Sequence, residues 1–174
     1  MSFDAFCFSP SDGGDIPGET QDKDFSAKKA FEILSFELGA ENNINIGSIS
    51  GGGGAGKATF KEFTITKKTD TASTGLFHAL VTGKHFTDLE IHLRRSSGEA
   101  AKSGKPFLVF KFAFVMVQDI SWSGSDGDDI CEETVIFQFG AIRVEYSKQL
   151  ATGAMESPKV AQWSRVTNEA TMDV

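Results

Sequence analysis

The amino-acid sequence predicts a mainly β protein, a sandwich or barrel of about eight strands with one α-helix packed outside it. Three observations predict this class. Most apolar residues recur at every second position, which is the period of a half-buried strand. The segments that alternate are short and are separated by stretches rich in Gly, Asn, Asp and Ser. One segment alone follows the helical period, which favours an all-β core with one added helix.

The predicted strands share this alternation or a dense run of β-branched and aromatic residues. In residues 30–38, Leu34, Phe36 and Leu38 alternate with Ser35 and Glu37, so we expect the three apolar side chains to face the core. Residues 106–117 are almost continuously apolar, which indicates that both faces of that strand are covered. The full set is 2–8, 30–38, 57–66, 87–95, 106–117 with a short continuation at 120–122, 134–146 and 160–168.

Residues 73–82 are the segment that breaks the period of two. Ser73 or Thr74 can cap the start of a helix there, and Gly83 can end it. Four apolar residues fall at helical spacing: Leu76, Phe77, Leu80 and Val81.

The run from Gly51 to Lys57 fits the first part of a phosphate-binding P-loop, G-x-x-x-x-G-K. A P-loop needs Ser or Thr after the lysine to hold Mg²⁺, and a helix whose N-terminus faces the phosphates. Ala58 follows the lysine here, and residues 59–66 have the pattern of a strand. We therefore interpret the run as a glycine loop between strands and expect no bound cofactor.

Composition excludes several classes of function. The chain has 174 residues, with 40% hydrophobic residues and 16 Phe, which is enough to bury a core. Its net charge of −7 argues against a nucleic-acid partner, which would need clustered Lys and Arg. No stretch approaches the roughly 20 apolar residues of a membrane span, and the N-terminus lacks the pattern of a signal peptide. We expect synthesis in the cytoplasm and no membrane insertion.

The residues that could bind a metal or act in catalysis lack the spacing that such sites need. His78, His85 and His92 fall on a predicted helix, turn and strand, so they need not converge on a metal. No Ser, His and Asp form a recognisable catalytic motif. Cys7 and Cys131 show no metal spacing and are interpreted as buried thiols. An acidic cluster is interpreted as a solvated hairpin tip: Asp126, Asp128, Asp129, Glu132 and Glu133. We expect no catalytic residue and no metal site.

Residues 39–56 form a long connection that needs a reason, because loops beyond about 12–15 residues are usually functional or disordered. Isoleucines alternate with asparagines in it, which favours a β-ribbon that extends from the barrel and packs on a neighbour, against a solvated linker as the alternative. The residues assigned to this contact are Asn42, Asn43, Ile44, Asn45, Ile46, Ile49, Gly51 and Gly56.

Five short segments, in order, resemble the haemolysin-coregulated protein (Hcp) family, the tube proteins of type VI secretion systems. They are Gly18-Glu19-Thr20 followed by 31–36 (FEILSF), the glycine-rich 51–57, Gly83-Lys84-His85-Phe86, 133–139 (ETVIFQF) and Trp163-Ser164-Arg165. The similarity covers nearly the whole chain. Residues 9–15 look like an extension of the first loop, and Glu37 stands where many members have a small polar residue.

The resemblance implies one Hcp-like domain over residues 1–174, built as a two-sheet β-barrel with a flanking helix and related to phage tail tubes. Subunits would close into a homo-hexamer whose rings stack into a tube inside a contractile sheath, with sheath, spike and effector proteins as partners. Ser35 and Glu37 would face the lumen of the ring. The protein would then be secreted through the type VI apparatus without a signal peptide.

Two other classes of function stay open from the sequence. One is a lone ring that serves as effector chaperone and receptor and never polymerises. The other is a nucleotide-binding enzyme that uses the glycine loop, which the Ala58 departure disfavours. The expected class is a structural tube subunit and not an enzyme.

Overall fold

A computed structural model describes residues 3–44, 46–47, 55–95 and 104–174 of the chain. Within these ranges the chain forms ten strands and one α-helix, in the order β1 Phe3–Phe8, β2 Phe31–Ile33, β3 Ser35–Glu37, β4 Ala40–Ile44, β5 Ala55–Phe60, β6 Phe63–Lys68, α1 Thr71–Thr82, β7 His85–Arg95, β8 Leu108–Ser123, β9 Glu132–Tyr146 and β10 Lys159–Ser164. The mainly β class with one helix is therefore confirmed.

The main sheet curls into a nearly closed barrel. Its strand order is β2-β1-β7-β8-β9-β6-β3, with β10 beside β9, and the pairs are antiparallel. The first and last strands of this order, β2 and β3, are separated in the chain by Leu34 alone. The backbone N–H of Leu34 donates to the carbonyl of Thr66 at 2.7 Å, which draws the two sheet edges together. Closure of this kind removes sheet edges that would otherwise pair with other chains.

The core fills the barrel with aromatic and aliphatic side chains. Phe63 stacks on Phe112 and Phe137 at ring-centroid distances of 4.2 and 4.7 Å, and all three rings are buried. Offset aromatic stacks of this kind add about 0.5–1.5 kcal/mol each beyond the area they bury. The sixteen phenylalanines of the composition therefore act mainly as the packing material of the barrel.

Strands β8 and β9 bend at the same level. On both strands, the side chains that face the core change there from one side of the strand to the other. In β8 the buried residues are Phe112 and then Val115, with the exposed Phe114 between them at φ 53°. In β9, Gly140 lies opposite, and a Cβ added to it would stand 3.2 Å from the Phe114 Cβ. A left-handed residue against a glycine lets paired strands bend together, as barrel closure requires.

The helix begins at a capping box. Asp70 is the N-cap and accepts from the N–H of Ala72 at 3.0 Å, while the Ser73 hydroxyl accepts from the N–H of Asp70 at 2.9 Å. Gly83 ends the helix at φ 69°, as the sequence predicts. The start differs from the prediction, since the cap is Asp70 and not Ser73 or Thr74.

Three predicted strands are wrong in detail. Segment 30–38 is two strands, and Leu34 between them is 50% exposed instead of facing the core. Segment 57–66 is divided between β5 and β6, which belong to different sheets. Segments 106–117 and 120–122 are one strand with an irregularity between Val117 and Asp119. Its outer face is not fully covered, because Phe114 and Met116 are exposed.

Candidate assembly surfaces

The predicted lumen residues lie on β3, whose side chains alternate between solvent and core. Ser35 and Glu37 are exposed, and Phe36 between them is half-buried against the core. The Ser35 hydroxyl hydrogen bonds to that of Thr66 on β6 at 2.5 Å, which fixes the strand in register. Glu37 has no ion pair among the described residues, so its charge is directed to solvent. Exposure of both is confirmed, and their place in a lumen stays a prediction.

Strands β4 and β5 form a separate two-stranded sheet, named here the ribbon (Ala40–Ile44 and Ala55–Phe60, with Ile46). All of β4 is exposed, and Ile44 and Ile46 are 64% and 89% exposed. A Cβ on Gly56 would lie 2.7 Å from the carbonyl oxygen of Asn43, so a side chain there would force the strands apart. Asn45, Ile49 and Gly51, also assigned to this contact, lie outside the described residues.

The base of the ribbon is tied to the barrel, and its two sides are lined by apolar grooves. The N–H of Lys61 donates to the carbonyl of Gly39 at 2.9 Å, which closes the base. The Phe60 ring packs edge-on against Phe139 at 5.9 Å. One groove, of about 580 Å³, lies between β5 and the outer face of β8 and β9, and another of about 350 Å³ lies on the side of β10. The ribbon therefore stands away from the barrel while its base is fixed.

A second exposed apolar surface lies on α1 and the end of β8, and is named here the aromatic patch (Phe77, Val81 and Trp122). The rings of Phe77 and Trp122 are 5.6 Å apart, and the three side chains are 45%, 59% and 48% exposed. Val81 lies one helical turn beyond Phe77, on the same face of α1. Sequence reasoning grouped these helix residues with Leu76, which is buried. Phe77 and Val81 lie four residues apart in the sequence, and this spacing indicates a second apolar face of the helix.

Beneath this patch lies a buried ionic network that sequence reasoning missed. The Lys67 Nζ is fully buried and lies 2.7 Å from both Glu133 Oε1 and Asp70 Oδ1. Glu133 also accepts from the hydroxyl of Ser73 at 2.8 Å and from Nε1 of Trp122 at 2.8 Å. The interpretation of Glu133 as part of a solvated tip is therefore wrong. Its oxygens join β6, the start of α1 and β8.

A second charged cluster holds the first long connection against β7. Arg94 forms ion pairs with Asp22, and with Asp24 at 3.2 Å, and its guanidinium lies over the Phe6 ring at 5.0 Å. Partial burial would raise the pKa of Asp22, but hydrogen bonds from Arg94 and from backbone N–H groups outweigh it and lower that pKa below its usual value. The carboxylate of Asp22 is thus stabilised in its charged form.

The residues that could suggest chemistry are dispersed in the structure. His78 is exposed on α1, His85 stacks on Phe114 at 4.5 Å, and Nε2 of His92 lies 2.7 Å from Glu90. Within the described ranges, no three His, Cys, Asp or Glu side chains are placed to hold a metal. Lys57 lies in β5, so the segment directly after the glycine run is a strand, as expected, and not the helix that a P-loop needs there.

The two cysteines differ in environment. Cys7 is buried, and burial raises the pKa of its thiol far above the usual value. Cys131 is exposed, so the prediction that both are buried is wrong for it. No helix in the described part of the chain is long and apolar enough to cross a membrane.

Comparisons with known proteins agree with the barrel and its single helix. A family model described as "Type VI secretion system effector, Hcp" matches residues 10–146, so the chain belongs to the Hcp family of type VI secretion proteins. Protein hcp1 of Pseudomonas aeruginosa is 30% identical over 147 residues, which cover 84% of this chain and 87% of that protein.

Solved structures extend the similarity to the whole fold. One described as a type six secretion system protein is 30% identical, with a TM-score of 0.84 over 97% of this chain and 99% of that one. Hcp1 from Salmonella typhimurium is 26% identical, with a TM-score of 0.71 over 98% of this chain and 100% of that one. The resemblance seen in the five sequence segments is therefore confirmed.

Proposed function

We propose that this protein is the structural subunit of a type VI secretion inner tube. A single domain over residues 1–174 would form hexameric rings, the rings would stack into a tube, and the tube would be exported through the type VI apparatus. The observation that carries the proposal is the ribbon, an exposed extension with two exposed isoleucines on a member of the Hcp family. Sheath and spike proteins of the apparatus are the expected further partners.

The ribbon supports stacking because its isoleucines are exposed, so they add little stability to a single subunit. Fully burying one Ile side chain contributes about 1.5–3 kcal/mol, and Ile44 and Ile46 leave most of that contribution unused in one chain. Exposed strand edges can also pair by strand addition, through backbone groups of residues such as Asn42 and Asn43. A subunit of the next ring that covers the ribbon would bury its isoleucines and pair with its exposed strand edge.

The lumen of the proposed ring would be lined by β3. Ser35 and Glu37 point away from the core, and Glu37 has no cationic partner among the described residues. Six copies would place a ring of carboxylates around the channel and attract basic effector surfaces at low ionic strength. A lone ring that binds effectors without stacking is the alternative, and the same exposed Glu37 favours it.

Electron microscopy and native mass spectrometry of the purified protein test the proposal. Rings and stacked tubes from the wild type are expected. Replacing Ile44 and Ile46 by Asp should leave rings intact and abolish tubes and secretion into the medium. The variant with Asp at Ala151 and Thr152 is the matched control, because it adds the same charge at two exposed residues outside the ribbon and keeps both isoleucines.

The outcomes separate the candidates. Rings without tubes from the wild type, at all protein concentrations tested, would favour the lone effector-binding ring. Only monomer at micromolar concentration would contradict both. Normal tubes from the double Asp variant would show that the ribbon is not the ring-to-ring contact.

A further inference from the structure

The ribbon and the aromatic patch lie beyond opposite ends of the same strand, β6. The chain leaves the ribbon at Phe60 and enters β6 at Phe63, which pairs with Phe137. At the other end, Lys68 pairs with Glu132, next to the pairing of Glu133 with Trp122 of the patch. The backbone of one subunit therefore places one surface with exposed apolar side chains beyond each end of β6.

We propose that the aromatic patch is the acceptor surface for the ribbon of a second copy of this chain in the next ring. This inference rests on the proposed tube function and names the two surfaces that meet. In a head-to-tail stack, opposite ends of adjacent subunits face each other, so the patch of one copy lies toward the ribbon of the next. Two different surfaces on one chain give a heterologous contact, which repeats without limit and builds an open stack.

The chemistry of the two surfaces is complementary. The ribbon offers the β-branched aliphatic side chains of Ile44 and Ile46, and the patch offers the flat rings of Phe77 and Trp122, against which aliphatic groups can pack. The ribbon carries one cation, Lys57, and one acid, Glu41, neither of them ion-paired within the described ranges, while the hairpin tip near the patch carries exposed acids at Asp126, Asp128 and Asp129, toward which Lys57 would face. The charges orient the contact, and apolar burial supplies most of its strength, because exposed ion pairs contribute little.

The patch is also held rigid, which suits a docking surface. Trp122 donates from Nε1 to the buried Glu133, and Phe77 stands on a helix whose first turn is fixed by the same carboxylate through Ser73. A rigid acceptor loses little conformational entropy when a ribbon binds to it. Phe77 packs on Trp122 within the subunit, and Phe77 and Val81 nevertheless leave about half of their side-chain surface exposed.

Acidic substitution at the patch is the first test. Phe77→Asp should leave rings intact and lower the thermal midpoint by only about 2–4 °C, since Phe77 is half exposed on α1 and loses one ring contact, and it should abolish tubes in electron micrographs. His78→Asp is the matched control, because it adds an acid one residue away on the same helix and leaves the patch intact; it should stack as the wild type does. Tubes of normal length from Phe77→Asp would overturn the inference while the proposed tube function stands.

A crosslink tests the geometry directly and does not depend on loss of function. Cys131 is exposed and lies two residues from Glu133, the strand partner of Trp122. Assembled Ile46→Cys tubes treated with a copper–phenanthroline oxidant should give disulfide-linked dimers on a non-reducing gel. The same substitution with Cys131→Ser should give none, since Cys7 is buried.

The outcomes distinguish a failure of the patch as acceptor from a failure of the proposed tube function. Crosslinked dimers from Ile46→Cys, together with tubes lost in Phe77→Asp, support the patch as acceptor. Intact tubes that fail to crosslink, or a crosslink that persists in Cys131→Ser, would place the ribbon elsewhere and overturn the inference. Wild-type protein that forms no stacks under any condition would overturn the proposed function, and the inference with it.

Discussion

Replacing Glu133 by glutamine removes one of the two carboxylates that neutralise a buried lysine. Lys67 is fully buried, and Glu133 is 2% exposed, whereas the second carboxylate, Asp70, is 14% exposed at its side chain. Breaking a buried ion pair by removing one partner costs about 3–5 kcal/mol. Because Asp70 stays 2.7 Å from Lys67, we expect the lower end of that range, about 3 kcal/mol of unfolding free energy.

Urea unfolding at a fixed protein concentration measures this loss. The midpoint should fall while the dependence on urea concentration stays constant, because the surface exposed on unfolding does not change. A chain of this size loses about 2–4 °C of melting temperature per kcal/mol, so the thermal midpoint should fall by about 6–12 °C. Native mass spectrometry must show the same oligomeric state for both proteins, since association alters apparent stability.

Two further variants test whether Glu133→Gln loses stability because the ion pair with Lys67 is buried. Glu132→Gln changes the neighbouring residue, which is exposed, and should lie within about 0.5 kcal/mol of the wild type. The double variant Lys67→Met with Glu133→Leu replaces the pair by apolar groups and should recover part of the loss, limited by the Ser73 hydroxyl and Trp122 Nε1, which lose their acceptor. A Glu133→Gln protein as stable as Glu132→Gln would refute the reasoning that Lys67 depends on this carboxylate.

Three other predictions follow from single contacts. Asp22 has a lowered pKa in the folded state, so its pairing with Arg94 stabilises the fold above about pH 4 and is lost as the pH falls through that lowered pKa; Asp22→Asn should therefore flatten the acid limb of a stability–pH curve. Gly18→Ala should destabilise by about 1–3 kcal/mol in urea unfolding, because its Cβ would lie 2.2 Å from a backbone oxygen, whereas Gly14→Ala, with open space around it, should be neutral or slightly stabilising. Calorimetry with ATP and Mg²⁺ should show no binding to the wild type or to Lys57→Ala, and micromolar affinity that depends on Lys57 would contradict the strand reading of β5.

The fold class could be predicted from the sequence because a period of two dominates it, and the exceptions to that period mark where prediction of detail failed. Leu34 continues the alternation in sequence, yet the chain turns between β2 and β3 at that residue and exposes it. Phe114 reverses the face of β8 through a positive φ that its residue type does not signal. Periodicity predicts a straight strand, and a closing barrel needs strands that bend.

The assembly surfaces were predictable to different degrees. The ribbon carried a local signal, alternating isoleucines in a glycine- and asparagine-rich stretch, and its exposed residues are where that signal placed them. The Lys67–Glu133 pair joins residues 66 positions apart, and each looks like an ordinary surface charge in its own segment. The aromatic patch likewise depends on a contact between α1 and β8, because Phe77 and Trp122 meet only when the helix folds back over the barrel.

Stacking of rings faces an electrostatic cost that only short-range contacts can offset. A hexamer of this chain would carry six times −7, or −42 formal charges, and at 0.1 M salt two such rings would repel each other mainly once they approach within about 10 Å, because salt screens the repulsion at longer distances. In the proposed stack each ribbon would bury only a few apolar side chains, a contact too weak to hold two isolated subunits together against the cost of association. Ring symmetry would change this balance, because once one ribbon had docked the other five would meet their patches at high effective concentration. A contact that is negligible between monomers would thus become strong between closed rings, and we expect stacking to depend steeply on ring closure.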